Sequence, residues 1–206
     1  MKKEIVILIA LIFSLFVVSA HQPRYIFNQD NISVENPEIS QAFYGRLEGS
    51  PNYYMINSDK EFELYLNILT SDLNDSRKDF IIEIMPINVT LDGRDFNWTF
   101  FHEEYAGDNY LSGPEFEENV SAGEYVVKVS NLDNLGRYSL AIGKIEKFSI
   151  KDILALLPIK KNFFDKGYLG VYDGIIGRFL LYATIFLLVI IVIVGIIIAR
   201  RLRRKK

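Results

Sequence analysis

The chain carries three apolar patterns, and each predicts a different element. Near the start, Ile5 to Val18 is a run of 14 positions broken only by Ser14. Lys2 and Lys3 precede it, and Val18-Ser19-Ala20 closes it with small residues. A basic start, a short apolar stretch and a small-residue end form a secretory signal peptide, too short for a comfortable membrane span. Glu4 is unusual there, and an uncleaved anchor is the competing reading. Cleavage after Ala20 makes His21 the mature N-terminus.

Near the other end, residues 179–199 read FLLYATIFLLVIIVIVGIIIA, 21 positions without a charge. As a helix this run is about 31 Å long, matching a hydrocarbon core of about 30 Å. A buried helix in a soluble protein of this length would carry polar positions along one face. Here only Tyr182 and Thr184 are polar, both near the outer end. Arg200, Arg201, Arg203, Arg204, Lys205 and Lys206 follow directly. Such a cluster predicts a cytoplasmic end, held against anionic lipid.

Between these runs the apolar positions alternate. Phe62, Leu64, Leu66 and Ile68 alternate with Glu61, Glu63, Tyr65 and Asn67. Phe80, Ile82 and Ile84 repeat the pattern, as do Tyr125, Val127 and Val129, then Tyr138, Leu140 and Ile142. A period of two is that of a half-buried strand. Turn residues separate the runs at 74–76, 92–93, 113–114, 122–123 and 135–136. Short strands at this spacing without intervening helices predict an all-β antiparallel sandwich, jelly-roll-like, over residues 40–148.

Ser121-Ala-Gly-Glu-Tyr-Val-Val-Lys-Val129, followed by Gly136-Arg-Tyr-Ser-Leu-Ala-Ile142, resembles the closing hairpin of bacterial pre-peptidase C-terminal domains. Tyr53-Tyr54-x-Ile56 matches their earlier Tyr-Tyr strand. The resemblance implies a small jelly-roll-like sandwich of the kind appended to secreted enzymes and surface proteins as a non-catalytic module.

Residues 149–178 change character. Ser149 with Asp152 caps a short helix in which Ile150, Ile153, Leu154 and Leu157 share a face, and Pro158 ends it. Lys160, Lys161, Phe163, Phe164, Lys166, Tyr168 and Tyr172 then mix cations with aromatics. Two readings stay open: an amphipathic segment at a membrane interface, and a helix packed under the sandwich. Gly167, Gly170, Gly174 and Gly177 predict a flexible approach to the span. The organisation expected is thus a signal peptide (1–20), an N-terminal extension (21–39), the sandwich (40–148), a juxtamembrane segment (149–178), a membrane helix (179–199) and a basic tail (200–206).

Charge sharpens this picture. The formal net charge is −3, from 23 basic and 26 acidic residues. With Lys2, Lys3, Arg178 and the six tail cations set aside, 14 basic residues face 25 acidic ones once Glu4 is removed too. The part between the apolar segments is therefore near −11, which argues against nucleic acid as a partner. The chain has no cysteine, which excludes disulfides, thiolate metal sites and a thiol nucleophile.

Five Asn-x-Ser/Thr sequons start at Asn31, Asn74, Asn88, Asn97 and Asn119. Random placement of 14 Asn and 17 Ser plus Thr in 206 residues would give about one. The excess predicts N-glycans on exposed loops and strand ends. With the missing cysteines it points to an archaeal surface rather than a eukaryotic one.

Catalytic material is sparse. His21 and His102 are the only histidines, too few for a His-based metal site or triad. Glu103-Glu104, Asp108, Glu115 and Glu117-Glu118 leave a carboxylate hydrolase as a weaker reading. Asp92, Asp95, Asp108, Asn109 and Glu115 are oxygen donors of the kind calcium takes, without a dedicated spacing. No metal or cofactor is expected. Trp98, Tyr105 and Tyr110, in an aromatic-rich stretch, form a candidate platform for a sugar or a partner protein; the alternative is that they fill the core. The expectation is a non-enzymatic, single-pass type I surface protein, its extracellular sandwich binding a protein or glycan or serving a structural role. Its partners are membrane lipid and that unidentified protein or glycan. The alternative is an accessory subunit of a secreted hydrolase or membrane transporter complex.

Overall fold

The computed structural model describes residues 21–26, 29–147 and 150–204. The expected signal peptide, Ser149, Lys205 and Lys206 lie outside them. Among the described residues there are eleven strands: β1 (Gln22–Tyr25), β2 (Asn31–Val34), β3 (Gln41–Glu48), β4 (Asn52–Ser58), β5 (Phe62–Ser71), β6 (Ile81–Met85), β7 (Val89–Asp92), β8 (Thr99–Glu103), β9 (Asp108–Val120), β10 (Gly123–Ser130) and β11 (Leu135–Ile142). They form a six-stranded sheet in the order β1-β3-β11-β5-β9-β8 and a five-stranded sheet in the order β2-β4-β10-β6-β7. The chain is a β-sandwich followed by helices, as the alternating pattern predicts.

The alternating positions meet between the sheets. Leu64, Leu66 and Ile68 of β5 and Leu140 and Ile142 of β11 face Ile82 and Ile84 of β6 and Val127 and Val129 of β10, all fully buried. A polar triad crosses this core. The Tyr54 and Tyr138 hydroxyls lie 2.8 Å apart, and Asn52 Nδ2 donates to Tyr138 Oη at 2.7 Å. It ties β4 of one sheet to β11 of the other with every member satisfied, the condition under which a buried polar group stabilises.

Two features depart from the sequence reading. Residues 21–39 are not an extension to the sandwich. β1 pairs with β3 and β2 with β4, both in parallel, while the remaining ladders are antiparallel. These strands are four residues long and sit at sheet edges, too short for a clear period. Gly113-Pro114 is not a turn but lies inside β9, where the register against β5 slips between Asn67 and Leu69. β8 pairs with β9 only as far as Ser112. Pro114 therefore stands where one side of β9 has become an edge, a position that needs no donor.

After the sandwich come α1 (Ile150–Asn162), a 3-10 turn (Tyr168–Tyr172) and α2 (Ile175–Arg203). α1 packs on the outer face of the six-stranded sheet. Leu156, Ile159, Phe163 and Phe164 are buried, the last three against Ala42, Tyr44, Leu69, Tyr110 and Ala141. This is the packed-helix reading of the segment. The buried side differs from the expected one: Leu154 is 70% exposed, whereas Asp152, Leu156, Ile159 and Lys160 point inward. Pro158 lies within the helix rather than ending it. The proline removes one backbone hydrogen bond, the one that would go to Leu154 on the exposed side. α2 starts four residues before the apolar run and is long and apolar enough to cross a membrane. Its most apolar window has a mean hydropathy of 3.2 and is 0% buried.

Candidate functional site

The sandwich and α2 meet at one place. β8 and β9 form a hairpin whose turn, residues 104–107, touches the start of α2. The Ile175 N–H donates to Glu104 O at 3.1 Å, and the Ile176 N–H to Tyr105 O at 3.2 Å. Amides in the first turn of a helix lack intrahelical acceptors, and here the hairpin supplies them. Arg178 folds back to donate to Asp173 O, through Nε at 3.1 Å and Nη2 at 2.6 Å.

This contact is backbone on backbone. A Cβ at Gly174 would stand 2.1 Å from Tyr105 O. One at Gly107, whose φ is +73°, would stand 2.5 Å from Asp173 C and Gly174 N. Gly174 is thus a contact surface rather than part of a flexible tether. At 2.1 Å no side chain fits without moving the hairpin.

A buried ion network holds the same turn. Asp108, the first residue of β9, is 1% exposed, and Lys160 of α1 is fully buried. Lys160 Nζ lies 2.6 Å from Asp108 Oδ2 and donates to Ala106 O at 2.5 Å. Lys166 Nζ reaches Asp108 Oδ1 at 3.1 Å, Gly107 O at 3.0 Å and Asp173 Oδ2 at 2.7 Å. Two carboxylates and two ammonium groups balance. Burial pulls the Lys160 ammonium below its ordinary pKa, against the attraction of Asp108. Burial acts the same way on Lys166, but its bonds to Asp173 and Asp108 outweigh it and the net direction is upward. The network ties α1, β9 and the segment before α2 together.

Beside this junction, on the outer face of the six-stranded sheet, is a cavity of about 260 Å³. Ala42, Asn67, Ser112, Ser139 and Ala141 form its floor, with Tyr44, Tyr65, Phe101, Tyr105 and Tyr110 around it. Leu156 of α1 and Ile176 of α2 also line it. Glu103 is half-buried there. Its two oxygens accept the backbone N–H groups of Tyr105 (2.9 Å) and Ala106 (2.6 Å). Burial raises its pKa, and these two hydrogen bonds oppose the rise. Tyr44 and Tyr110 hydroxyls pair at 2.7 Å. Tyr65 donates to Glu115 at 3.4 Å, and burial followed by the Glu115 charge pushes its pKa up to about 12. The His21 ring is hydrogen-bonded to Ser40 at the cavity's side.

The aromatic residues singled out in the sequence do not share one exposed surface. Tyr110 is buried under α1, and Tyr105 lines the cavity. Trp98 is half-buried, packed on the sandwich core with its indole N–H donating to Gly93 O at 2.8 Å. Phe96, Phe100 and Phe101 are the exposed aromatics of that stretch, at 42%, 61% and 42%. All five sequon asparagines are exposed. The acidic donors considered for calcium are separated: Asp92 is paired with Arg94, whose hydrogen bonds hold its carboxyl down at about 2, and Asp108 is held by two lysines. Glu117 is paired with Lys144, which lowers its pKa. Arg200, Arg201 and Arg203 occupy the last turn of α2.

Sequence reasoning named Lys160 and Asp108 in other roles but not their buried pairing, and it missed the cavity floor. A lysine four residues after Leu156 and three before Phe163, among inward-facing positions, was the available signal for a buried cation.

No family model matches the chain, and no curated protein does. Among solved structures the chain is similar to the pre-peptidase C-terminal domain of a collagenase from Bacillus anthracis. That match has 13% identity and a TM-score of 0.31, covering 60% of this chain and 95% of the other. It is also similar to a β-glucosidase from Paenibacillus barengoltzii, at 9% identity and a TM-score of 0.26, over 59% of this chain and 13% of the enzyme.

Proposed function

We propose that the protein is a non-enzymatic binding module of the cell surface, anchored by one membrane pass with its sandwich outside and its basic end in the cytoplasm. The observation that supports this most is the junction. Two backbone hydrogen bonds join the β8–β9 turn to α2, and the buried Asp108–Lys160–Lys166 network braces them. A fixed orientation lowers the ordering cost of presenting one face to a partner beside the membrane. The acidic charge and the five exposed sequons fit an outward-facing glycoprotein, and Leu169 and Tyr172, exposed next to α2, suit contact with lipid headgroups.

The accessory-subunit reading is favoured by one feature, the unpaired edge of β8. It is a strand rim with Phe100 and Phe101 exposed, of the kind a partner strand can extend.

The test combines topology and capture. With a tag after Lys206, protease added to intact cells removes the sandwich and spares the tag. Purification in mild detergent then recovers a bound protein, or a glycan array identifies a sugar. A protected sandwich refutes the orientation. Hydrolase activity that disappears in Glu103→Gln/Glu104→Gln refutes the non-enzymatic assignment.

A further inference from the structure

We infer that the cavity beside the junction binds a small organic ammonium ion, with Glu103 taking its charge and the tyrosine rings its alkyl groups. This deepens the binding-module reading and rests on it.

The first argument is side-chain size. On one part of this sheet face Tyr44, Leu69 and Tyr110, with Ala42 and Ala141 at the cluster's edge, pack on Ile159, Phe163 and Phe164. From those two alanines onward the outward positions of four adjacent strands are small or polar: Ala42 on β3, Ser139 and Ala141 on β11, Asn67 on β5 and Ser112 on β9. The rim around this floor is aromatic. The result is a walled depression of about 260 Å³, near the lower end of ordinary small-molecule sites, roughly 300–1,000 Å³.

The second argument is which polar groups remain available. Asn67 Nδ2 donates to Gly113 O at 3.1 Å, and Ser112 Oγ to Asn67 Oδ1 at 3.3 Å. Tyr44 and Tyr110 satisfy each other. Apart from the Ser139 hydroxyl, the floor therefore offers few free donors or acceptors, which disfavours a neutral sugar that must exchange many hydrogen bonds. Besides the Ser139 and Tyr105 hydroxyls, the groups with spare capacity are carboxylates. Each oxygen of Glu103 accepts one backbone N–H and retains a second lone pair. Glu115 accepts only the long Tyr65 bond.

The third argument is charge. Among the described residues no lysine or arginine lines the cavity. Lys160 and Lys166 are paired with Asp108 and Asp173, and Lys144, whose Nζ stands 5.1 Å from the Tyr65 ring centroid, is paired with Glu63 and Glu117. Two carboxylates among aromatic side chains, with these lysines already neutralised by other acids, make a site for a cation that is greasy outside its charge. Carboxylate plus aromatic faces is the recognised chemistry for alkylammonium groups. The ammonium has two sources, a free small amine or a lipid headgroup, because Ile176 places the cavity's rim at the first turn of α2.

The test uses the full chain in detergent at pH 7.5 and low salt, titrated with n-butylammonium and separately with n-butanol, with binding followed by calorimetry. Butylammonium binds at least tenfold more tightly than butanol, and Glu103→Gln removes that preference. Ser112→Leu, which fills the floor at a half-exposed position without touching Glu103, abolishes binding of both. Equal affinity for butanol, unchanged butylammonium binding in Glu103→Gln, preferential binding of a methyl glucoside, or no binding of any probe overturns the assignment. Repeating the titration in phosphatidylethanolamine and phosphatidylglycerol nanodiscs separates the sources. Competition only in the ethanolamine lipid assigns a headgroup; equal binding in both assigns a free amine. A partner captured from membranes while butylammonium fails to bind would sink this inference and leave the binding-module reading standing.

Discussion

Lys160→Met removes the central cation of the junction and tests whether it is a true buried pair. Lys160 and Asp108 are 0% and 1% exposed and 2.6 Å apart. Deleting one partner of such a pair costs roughly 3–5 kcal/mol, because the other is left buried without compensation. Asp108 keeps Lys166 at 3.1 Å, so the expected cost lies at the low end, about 3 kcal/mol. Asp108→Asn leaves two ammonium groups facing an amide and belongs at the high end, about 5 kcal/mol. For a domain of this size, 1 kcal/mol corresponds to about 2–4 °C in Tm, so the two variants fall by about 6–12 °C and 10–20 °C. The assay is thermal denaturation of the full chain in mild detergent, followed by the fluorescence of Trp98, the single tryptophan. Lys160→Met/Asp108→Leu recovers most of the loss, since an apolar pair of similar volume replaces an ion pair at little cost. Losses under about 2 °C in both single variants would show that water screens the network and that the junction rests on something else.

Gly174→Ala forces a Cβ to within 2.1 Å of Tyr105 O. It opens the two hairpin bonds, costs about 1–3 kcal/mol, and speeds hydrogen exchange at the Ile175 and Ile176 amides while β5 and β11 amides stay protected. Glu103 gives a pH signature. Burial raises its pKa above the ordinary 4.5, so the folded state holds the proton to higher pH than the unfolded one. Its contribution to stability is complete below about 4.5 and is lost as pH rises through the raised value. Glu103→Gln removes that decline, and denaturant midpoints measured from pH 4 upward reveal it; an unchanged profile would place the carboxylate in bulk-like solvent. Replacing each sequon asparagine with glutamine lowers the mass of the membrane-expressed chain by one glycan at every site in use, and no change at any of the five would refute the glycoprotein reading.

The legible parts of this fold were those with long, regular periods. β5, β10 and β11 show their inward face in every second residue, and the 21-residue apolar run stands out by length alone. β1 and β2 were invisible because four residues cannot establish a period, and their parallel pairing depends on β3 and β4, distant along the chain. α1 begins where the capping pattern puts it, but it runs through Pro158 to Asn162 and is turned differently. Its buried side includes Asp152 and Lys160, so a purely hydrophobic reading rotates it toward Leu154 and Leu157. Gly174, which reads as flexibility in the sequence, is a site of close approach, a distinction set by a partner backbone some 70 residues away in sequence. The site was hardest to read. Its floor is built from residues that are unremarkable singly, and only strand order brings Ala42, Ser112 and Ser139 side by side. In the aromatic stretch around Trp98 the tyrosines turn inward while Phe100 and Phe101 turn out.

The hairpin–helix junction implies that the sandwich and α2 move as one body. Because the chain has no cysteine, Glu61→Cys and Leu187→Cys introduce the only two thiols. Glu61 is exposed just before β5, and Leu187 is 57% exposed on α2. Spin labels at both sites, in nanodiscs, report their separation by double electron–electron resonance. The account predicts one narrow distance distribution, which broadens when Gly174→Ala is added. A broad distribution in the otherwise unaltered chain would contradict it.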